Sequence, residues 1–159
     1  MIRKLTEADL SAVMDIWLET NIKAHSFIAE KYWQDNFEMV KSVLPEAEVY
    51  VYKENGGELK GFIGLIDNYI AGLFVKSNAQ SYGIGKKLLD YVKTFRTELT
   101  LTVYEKNIRA VSFYQREQFA TDSEKNRWLH RRKRVFYGLE RRQCSVNSDL
   151  TESVWYAIL

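Results

Sequence analysis

Cysteine, proline and long apolar runs are scarce or absent in this chain of 159 residues, and each absence excludes something. The single cysteine, Cys144, leaves no internal disulfide possible, which suits a reducing compartment. No stretch reaches the length of a membrane span, and the first ten residues, MIRKLTEADL, contain no apolar core of signal-peptide length. We therefore expect a cytoplasmic protein without membrane association.

The composition is that of one folded domain covering residues 1–159. Hydrophobic residues make up 46% of the chain and aromatic residues 14%, which argues against disorder. The net charge is only +2, but residues 127–142 carry seven Lys and Arg against the single acid Glu140. Such a run could contact phosphate groups or nucleic acid, and a solvated basic face is the alternative interpretation.

One stretch, residues 72–91, combines a buried strand, a polar turn with glycines and an amphipathic helix. Apolar residues at 73–75 indicate the strand, and apolar residues at 84, 88, 89 and 92 recur at helical spacing. The first amides of a helix have no partner within the helix and bind anions. Gly83 and Gly85 would let the backbone approach such a ligand closely. This stretch therefore predicts a phosphate site.

The turn matches neither of the two commonest nucleotide-binding patterns. A dinucleotide-binding fold needs a third glycine where Leu88 stands, and a P-loop needs Ser or Thr where Lys87 stands. The phosphate ligand is therefore of another kind.

The rest of the chain predicts an α/β (α+β) fold in which a mixed sheet of six to seven strands is flanked by about four helices. Pro45, the only proline, should end the second helix. The first strands should form an antiparallel meander, and the strands on either side of the third helix should be parallel and part at one end to admit a ligand. The predicted strands are 2–5, 49–52, 59–66, 69–76, 99–104, 134–139 and 153–159, and the predicted helices are 7–20, 29–44, 84–96 and one that begins near 107.

Two segments resemble the sequence motifs of the GNAT superfamily of N-acetyltransferases. Gln80, Gly83 and Gly85 are similar to its coenzyme A motif, Gln/Arg-x-x-Gly-x-Gly/Ala. Residues 107–114 resemble its later pattern, Asn-x-x-Ala-x-x-Phe-Tyr, at the customary distance. The segment His25-Ser26-Phe27-Ile28 with Tyr32-Trp33 further resembles a subgroup of small bacterial acetyltransferases related to the YiaC and YjaB proteins. The resemblance spans residues 1–119 and implies the GNAT fold.

The resemblance also implies acetyl-CoA as the cosubstrate, with no metal, and a set of residues that would bind it. The pyrophosphate would lie on the backbone amides of the turn, and the pantetheine arm would pair with a strand edge. The implied ligands are Phe74, Val75, Gln80, Ser81, Tyr82, Gly83, Ile84, Gly85, Lys86 and Asn107.

Catalysis would need a proton donor for the leaving thiolate and an acceptor for the amine proton. Tyr114 is the candidate general acid, because a phenol keeps its proton at neutral pH. Glu105 and His25 are both candidate general bases, and surface or packing roles are the alternatives. His25, Phe27, Tyr32 and Trp33, with Tyr69 as a further candidate, would line the acceptor pocket, unless these aromatic residues belong to the core.

Two features depart from the family pattern. Gln118 stands where the family usually has a glycine that ends the helix, so that helix either keeps a left-handed residue at a cost or ends differently. Residues 120–159 form a divergent part of the domain.

Four functions stay open at this point. The first is an acetyltransferase that acts on a primary amine by direct attack, as a monomer or homodimer. The second is a coenzyme A-binding module with little turnover, and the third is a toxin-like acetyltransferase of aminoacyl-tRNA. The fourth, a nucleic-acid-binding protein without a cofactor, rests on the basic run alone.

Overall fold

The computed structural model describes residues 1–122, 127–128 and 136–142, with side chains through residue 120. Within these ranges the chain forms eight β-strands and four α-helices. The strands are β1 (Ile2–Lys4), β2 (Glu48–Lys53), β3 (Leu59–Ile66), β4 (Tyr69–Val75), β5 (Glu98–Tyr104), β6 (Ala120–Asp122), β7 (Arg127–Trp128) and β8 (Phe136–Arg142), and the helices are α1 (Leu10–Ala24), α2 (Glu30–Val43), α3 (Ile84–Lys93) and α4 (Ile108–Arg116).

The strands form one mixed sheet in the order β1-β2-β3-β4-β5-β8-β6-β7. The first four are antiparallel neighbours, which confirms the predicted meander. β5 runs parallel to β4, and β8 runs parallel to β5 along seven residue pairs. The described sheet has eight strands: six of the seven predicted strands and the short strands β6 and β7, which were not predicted.

β4 and β5 pair only at their beginnings, which confirms the predicted separation. Tyr69 lies opposite Thr100 and Ile70 opposite Leu101, and no later pair follows between these two strands. On its other side β4 stays paired with β3 as far as Val75, with a bulge at Ala71 between two pairs. Among the described residues, no strand therefore lies beside this edge of β4 beyond Ile70.

The sheet has a core on each face. Phe62 packs in the core beneath α1 and α2, whereas the next residue, Ile63, packs in the core beneath α3 and α4. This alternation follows from the two-residue period of a strand. Trp33 is 1% exposed and belongs to the first core, where its ring meets Trp17 edge to face at 5.9 Å.

Local interactions determine where the helices begin and end, and these limits differ slightly from the predicted ones. A 3-10 turn over Glu7–Asp9 precedes α1, and the Asp9 carboxylate accepts the Thr6 backbone N–H at 3.0 Å. Pro45 lies in a second 3-10 turn directly after α2, which confirms that it ends that helix. α3 ends at Lys93 rather than at 96, and α4 begins after Asn107 as predicted.

The C-terminal predictions meet the structure only in part. The strand predicted at 134–139 is observed as β8, which begins two residues later and ends three residues later than predicted. The strand predicted at 153–159, Cys144 and residues 129–135 of the basic run lie outside the described residues. The described helices include none long and apolar enough to cross a membrane.

Candidate active site

A cavity of about 930 Å³ opens where β4 and β5 separate. Its walls are residues 72–75 of β4 and 102–104 of β5, the end of α1, the turn before α3, the first turn of α3 and one side of α4 along its whole length. The carboxyl ends of neighbouring parallel strands are the usual place for ligands in such sheets. The cavity is in the size range of sites that bind organic ligands.

The turn between β4 and α3 is built to present backbone amides. Gln80 donates its side-chain N–H to the Val75 carbonyl at 2.9 Å and so closes the turn onto β4. Ser81 and Gly83 have left-handed φ angles of 69° and 77°. Both residues line the cavity together with Ile84, Gly85 and Lys86, at the amino-terminal end of α3 where helix amides lack internal partners.

Gly83 and Gly85 are needed for different reasons. A Cβ at Gly83 would meet no atom of the described residues within 4 Å, which leaves space for a ligand, while its φ angle disfavours any side chain. A Cβ at Gly85 would lie 3.3 Å from a methyl group of Leu73 and 3.5 Å from the Phe113 ring. Gly85 therefore lets α3 pack closely against β4 and α4.

Cationic side chains dominate the described cavity wall. The wall contains five of them and a single carboxylate, that of Glu117, which Lys86 approaches at 3.3 Å. Arg109 also donates a hydrogen bond to the Ser81 hydroxyl at 3.1 Å, beside the turn. Such a wall attracts a ligand with several negative charges. The five cations are Lys23, Lys86, Lys106, Arg109 and Arg116.

Tyr114 lies in the inner wall of the cavity. It is 7% exposed, and its ring packs edge to face with Phe113 and Phe119 at 5.1 and 5.3 Å. Burial, with a smaller effect of Tyr69, raises the pKa of Tyr114 above its ordinary value. The phenol is therefore protonated at neutral pH and can act as a hydrogen donor.

His25 and Asn107 meet at the end of the cavity nearest α1. The Asn107 side-chain amide lies 3.3 Å from Nε2 of His25, and both residues line the cavity. Burial lowers the pKa of His25 to about 4, and the carbonyl of Asn21 opposes this shift only in part. A histidine with so low a pKa is a weak proton acceptor, so the buried surroundings of His25 do not support it as the general base.

The residue pattern and the fold identify the family. The acetyltransferase (GNAT) domain family matches residues 16–128. This chain belongs to the GNAT acetyltransferases. It is thus an enzyme of the acyltransferase class, and GNAT enzymes use acetyl-CoA as the acetyl donor.

Individual relatives agree with this assignment. The chain is 37% identical over 121 residues to the peptidyl-lysine N-acetyltransferase YiaC of Escherichia coli K12, which covers 75% of this chain and 82% of YiaC. The solution structure of apo YjaB from Escherichia coli superimposes with a TM-score of 0.69 at 25% identity, covering 80% of this chain and 91% of YjaB. The PaiA N-acetyltransferase of Thermoplasma acidophilum, solved with coenzyme A, shares the fold with a TM-score of 0.63 at 19% identity, covering 86% and 94%.

The structure of this GNAT enzyme brings most of the predicted cofactor residues together. Phe74, Val75, Gln80, Ser81, Gly83, Ile84, Gly85, Lys86 and Asn107 all line the cavity. Tyr82 does not, because its side chain is 77% exposed on the outside of the turn.

The predicted acceptor and base residues fall in several places. Of these, His25 lines the cavity, and Phe27 lies beside it, with its ring 5.7 Å from that of His25. Trp33 is a core residue, and Tyr32 packs against its edge at 5.0 Å, so neither forms the cavity wall. Glu105 is exposed in the turn after β5 and is also absent from that wall, a placement that does not support its role as the general base.

Sequence reasoning missed Arg109, Arg116, Lys23 and Lys106 as cavity residues. For Arg109 a signal was present, because the first turn of α4 and the turn before α3 both follow carboxyl ends of neighbouring parallel strands. The other three come from separate elements, and no spacing in the sequence connects them. No group of side chains suited to a metal ion occurs in the described part of the chain.

Proposed function

We propose that this GNAT enzyme transfers the acetyl group of acetyl-CoA to the side-chain amine of lysine residues in peptides or proteins. The acceptor class comes from its relative YiaC, which is named a peptidyl-lysine N-acetyltransferase. The observation that carries the proposal is the cavity where β4 separates from β5, with the left-handed turn and the start of α3 at one end. A polyanion with an extended arm fits this arrangement.

The residues of the cavity suit the parts of the cosubstrate. The amides at 81–86 and the cations Lys86 and Arg109 would hold the pyrophosphate. The unpaired edge of β4 at Phe74 and Val75 offers backbone groups to the amides of the pantetheine arm. A backbone N–H of the same edge would stabilise the negative charge that develops on the thioester oxygen.

Acetyl transfer would proceed by direct attack in a ternary complex. Bound acetyl-CoA supplies a thioester, at whose carbonyl carbon a C–N bond to lysine forms while the C–S bond breaks. Tyr114 would donate its proton to the departing sulfur, which becomes more basic in the same buried surroundings. Because Glu105 and His25 are poorly placed or too weakly basic, the amine would lose its proton to water at the cavity opening.

The proposal is tested by turnover on lysine peptides. The native enzyme should release coenzyme A and add one acetyl group to the peptide, observed by thiol titration and mass spectrometry. Tyr114→Phe should lower kcat by about 100-fold, the usual contribution of a positioned general acid, and leave acetyl-CoA binding unchanged. Tyr91→Phe is the matched control, because Tyr91 packs against Tyr50 and Phe95 outside the cavity, and this variant should keep the native kcat.

Two results would contradict parts of this account. If the native enzyme binds acetyl-CoA but acetylates no lysine peptide, the lysine acceptor is wrong, and transfer to no amine at all would favour the alternative of a binding module. If Tyr114→Phe turns over at the native rate, Tyr114 is not the acid. The basic run that suggested tRNA lies on residues 127–142, whose side chains are outside the described residues, so no observation here favours that substrate.

A further inference from the structure

The amide of Asn107 is held on both sides. Its Oδ1 accepts the backbone N–H of Ala110 at 3.2 Å, which caps α4. Its Nδ2 lies 3.3 Å from Nε2 of His25. Because the Ala110 N–H can only donate, it identifies the oxygen of the amide, and the group that faces His25 is therefore the NH₂.

This orientation fixes the tautomer of His25. An NH₂ group can only donate, so Nε2 must be the acceptor and the proton of the neutral imidazole must be on Nδ1. By distance and angle Nδ1 completes no hydrogen bond within residues 1–122, although the Asn21 carbonyl is near enough to oppose part of the fall in the pKa of His25. The lowered pKa of His25 is consistent with a neutral ring, which can keep accepting at physiological pH.

His25 is itself held firmly in place. Its backbone N–H bonds to the Asn21 carbonyl at 2.9 Å at the end of α1, and its side chain is largely buried. The ring stacks on Trp33 at 5.2 Å and meets the edge of Tyr104 at 5.0 Å. Because these contacts fix the orientation of the ring, Nε2 points toward Asn107.

We propose that His25 is a positioning residue for the cosubstrate, acting through Asn107. Nε2 of His25 accepts a hydrogen bond from one N–H of the Asn107 amide. The second N–H then remains free to donate to a carbonyl of the pantetheine arm in the cavity that both residues line. The inference rests on the proposed function, since it needs acetyl-CoA in the cavity. The contact also joins the end of α1 to the start of α4 across the cavity.

Three substitutions of His25 separate the hydrogen bond from packing. His25→Phe keeps an aromatic ring against Trp33 and Tyr104 but removes the acceptor. His25→Gln restores an acceptor near the place of Nε2, whereas the shorter amide of His25→Asn reaches only the place of Nδ1. The dissociation constant of acetyl-CoA, measured by calorimetry, should rise about three- to tenfold in His25→Phe and His25→Asn, the range for one hydrogen bond. It should stay within about twofold of native in His25→Gln.

Steady-state kinetics should distinguish the same variants. The KM for acetyl-CoA should rise in His25→Phe while kcat changes less than about twofold, because the lost interaction serves binding rather than the chemical step. If His25→Phe does not fold, the comparison of the two amide variants decides. Equal dissociation constants for His25→Gln and His25→Asn would overturn the proposal.

A double-variant cycle tests whether His25 acts through Asn107. Asn107→Ser keeps a side chain that caps α4 but cannot reach His25. If His25 acts only by orienting Asn107, adding His25→Phe to Asn107→Ser should weaken acetyl-CoA binding no further. Independent, additive losses would contradict the inference. Failure of the native protein to bind acetyl-CoA would instead remove the proposed function, so the two failures are distinguishable.

Discussion

Gln118 ends α4 in a conformation that glycine usually adopts. Its φ angle is 71°, and the hydrogen bonds of the helix end are those of a Schellman motif, from Phe119 N–H to the Tyr114 carbonyl and from Gln118 N–H to the Gln115 carbonyl. The Phe119 ring lies against Tyr114 at 5.3 Å, which supplies the hydrophobic contact typical of this motif. Of the two expectations from sequence, the left-handed residue is therefore the one observed.

Gln118→Gly should stabilise the protein by about 0.5–1 kcal/mol, because a left-handed residue with a Cβ is strained and glycine is not. The free energy of unfolding, measured by urea titration, checks this. Gln118→Ala retains the Cβ and should stay close to native. Destabilisation by glycine would mean that the side chain of Gln118 contributes more than the strain costs.

The site residues divide at this scale into those that the sequence could predict and those that it could not. Gly83, Gly85, Asn107 and Tyr114 lie on regular elements or at their ends, so motif spacing placed them in one cavity. Glu105 stands in a turn, where the direction of a side chain depends on packing rather than on period. Trp33 has the same helical spacing whether it faces a core or a pocket.

At the scale of elements, the close approach of β3 and β4 positions the edge of β4 that lines the cavity. A Cβ at Gly61 would come within 2.7 Å of the Phe74 carbonyl oxygen and 3.4 Å of the Ile84 side chain. Gly61 therefore allows both the strand edge and the start of α3 to lie where they do. A Cβ at Gly64, in the same strand, would meet nothing closer than Val49 at 3.9 Å.

Gly61→Ala should destabilise the protein by about 1–3 kcal/mol, the usual cost of overpacking, because backbone must move to accommodate the methyl group. It should also weaken acetyl-CoA binding, since β4 and the start of α3 move together. Urea titration and calorimetry measure the two effects. Gly64→Ala is the control and should change neither by much. Native stability and affinity in Gly61→Ala would show that β4 does not need this approach.

Long elements with a clear period were predictable, and short ones were not. The meander, the 84–93 helix and the parallel pair follow from apolar residues at steps of two or of three and four. β6 and β7 have three and two residues, too few for any period to show. β8 begins two residues after its predicted start, within the usual uncertainty of strand limits.

At the scale of the whole molecule, charge is distributed in a way that the composition does not show. The net charge is +2, yet the described wall of the cavity carries five cations and one carboxylate. These cations come from α1, α3, α4 and the turn after β5, so only the folded chain brings them together. The sequence predicted where phosphate would bind but not how strongly the surroundings favour it.

Acetyl-CoA binding by calorimetry is the most direct test of the central claim that the turn at 81–86 holds the cosubstrate. Gly83→Val should weaken binding by about 100-fold or more, because a side chain there enters the space left for the pyrophosphate and strains the turn. Gly57→Val is the matched control, since Gly57 has a φ angle of 86°, an equally open surrounding and a position outside the cavity wall. We expect it to bind acetyl-CoA like the native protein. Native affinity in Gly83→Val, or no binding by the folded native protein, would contradict the account.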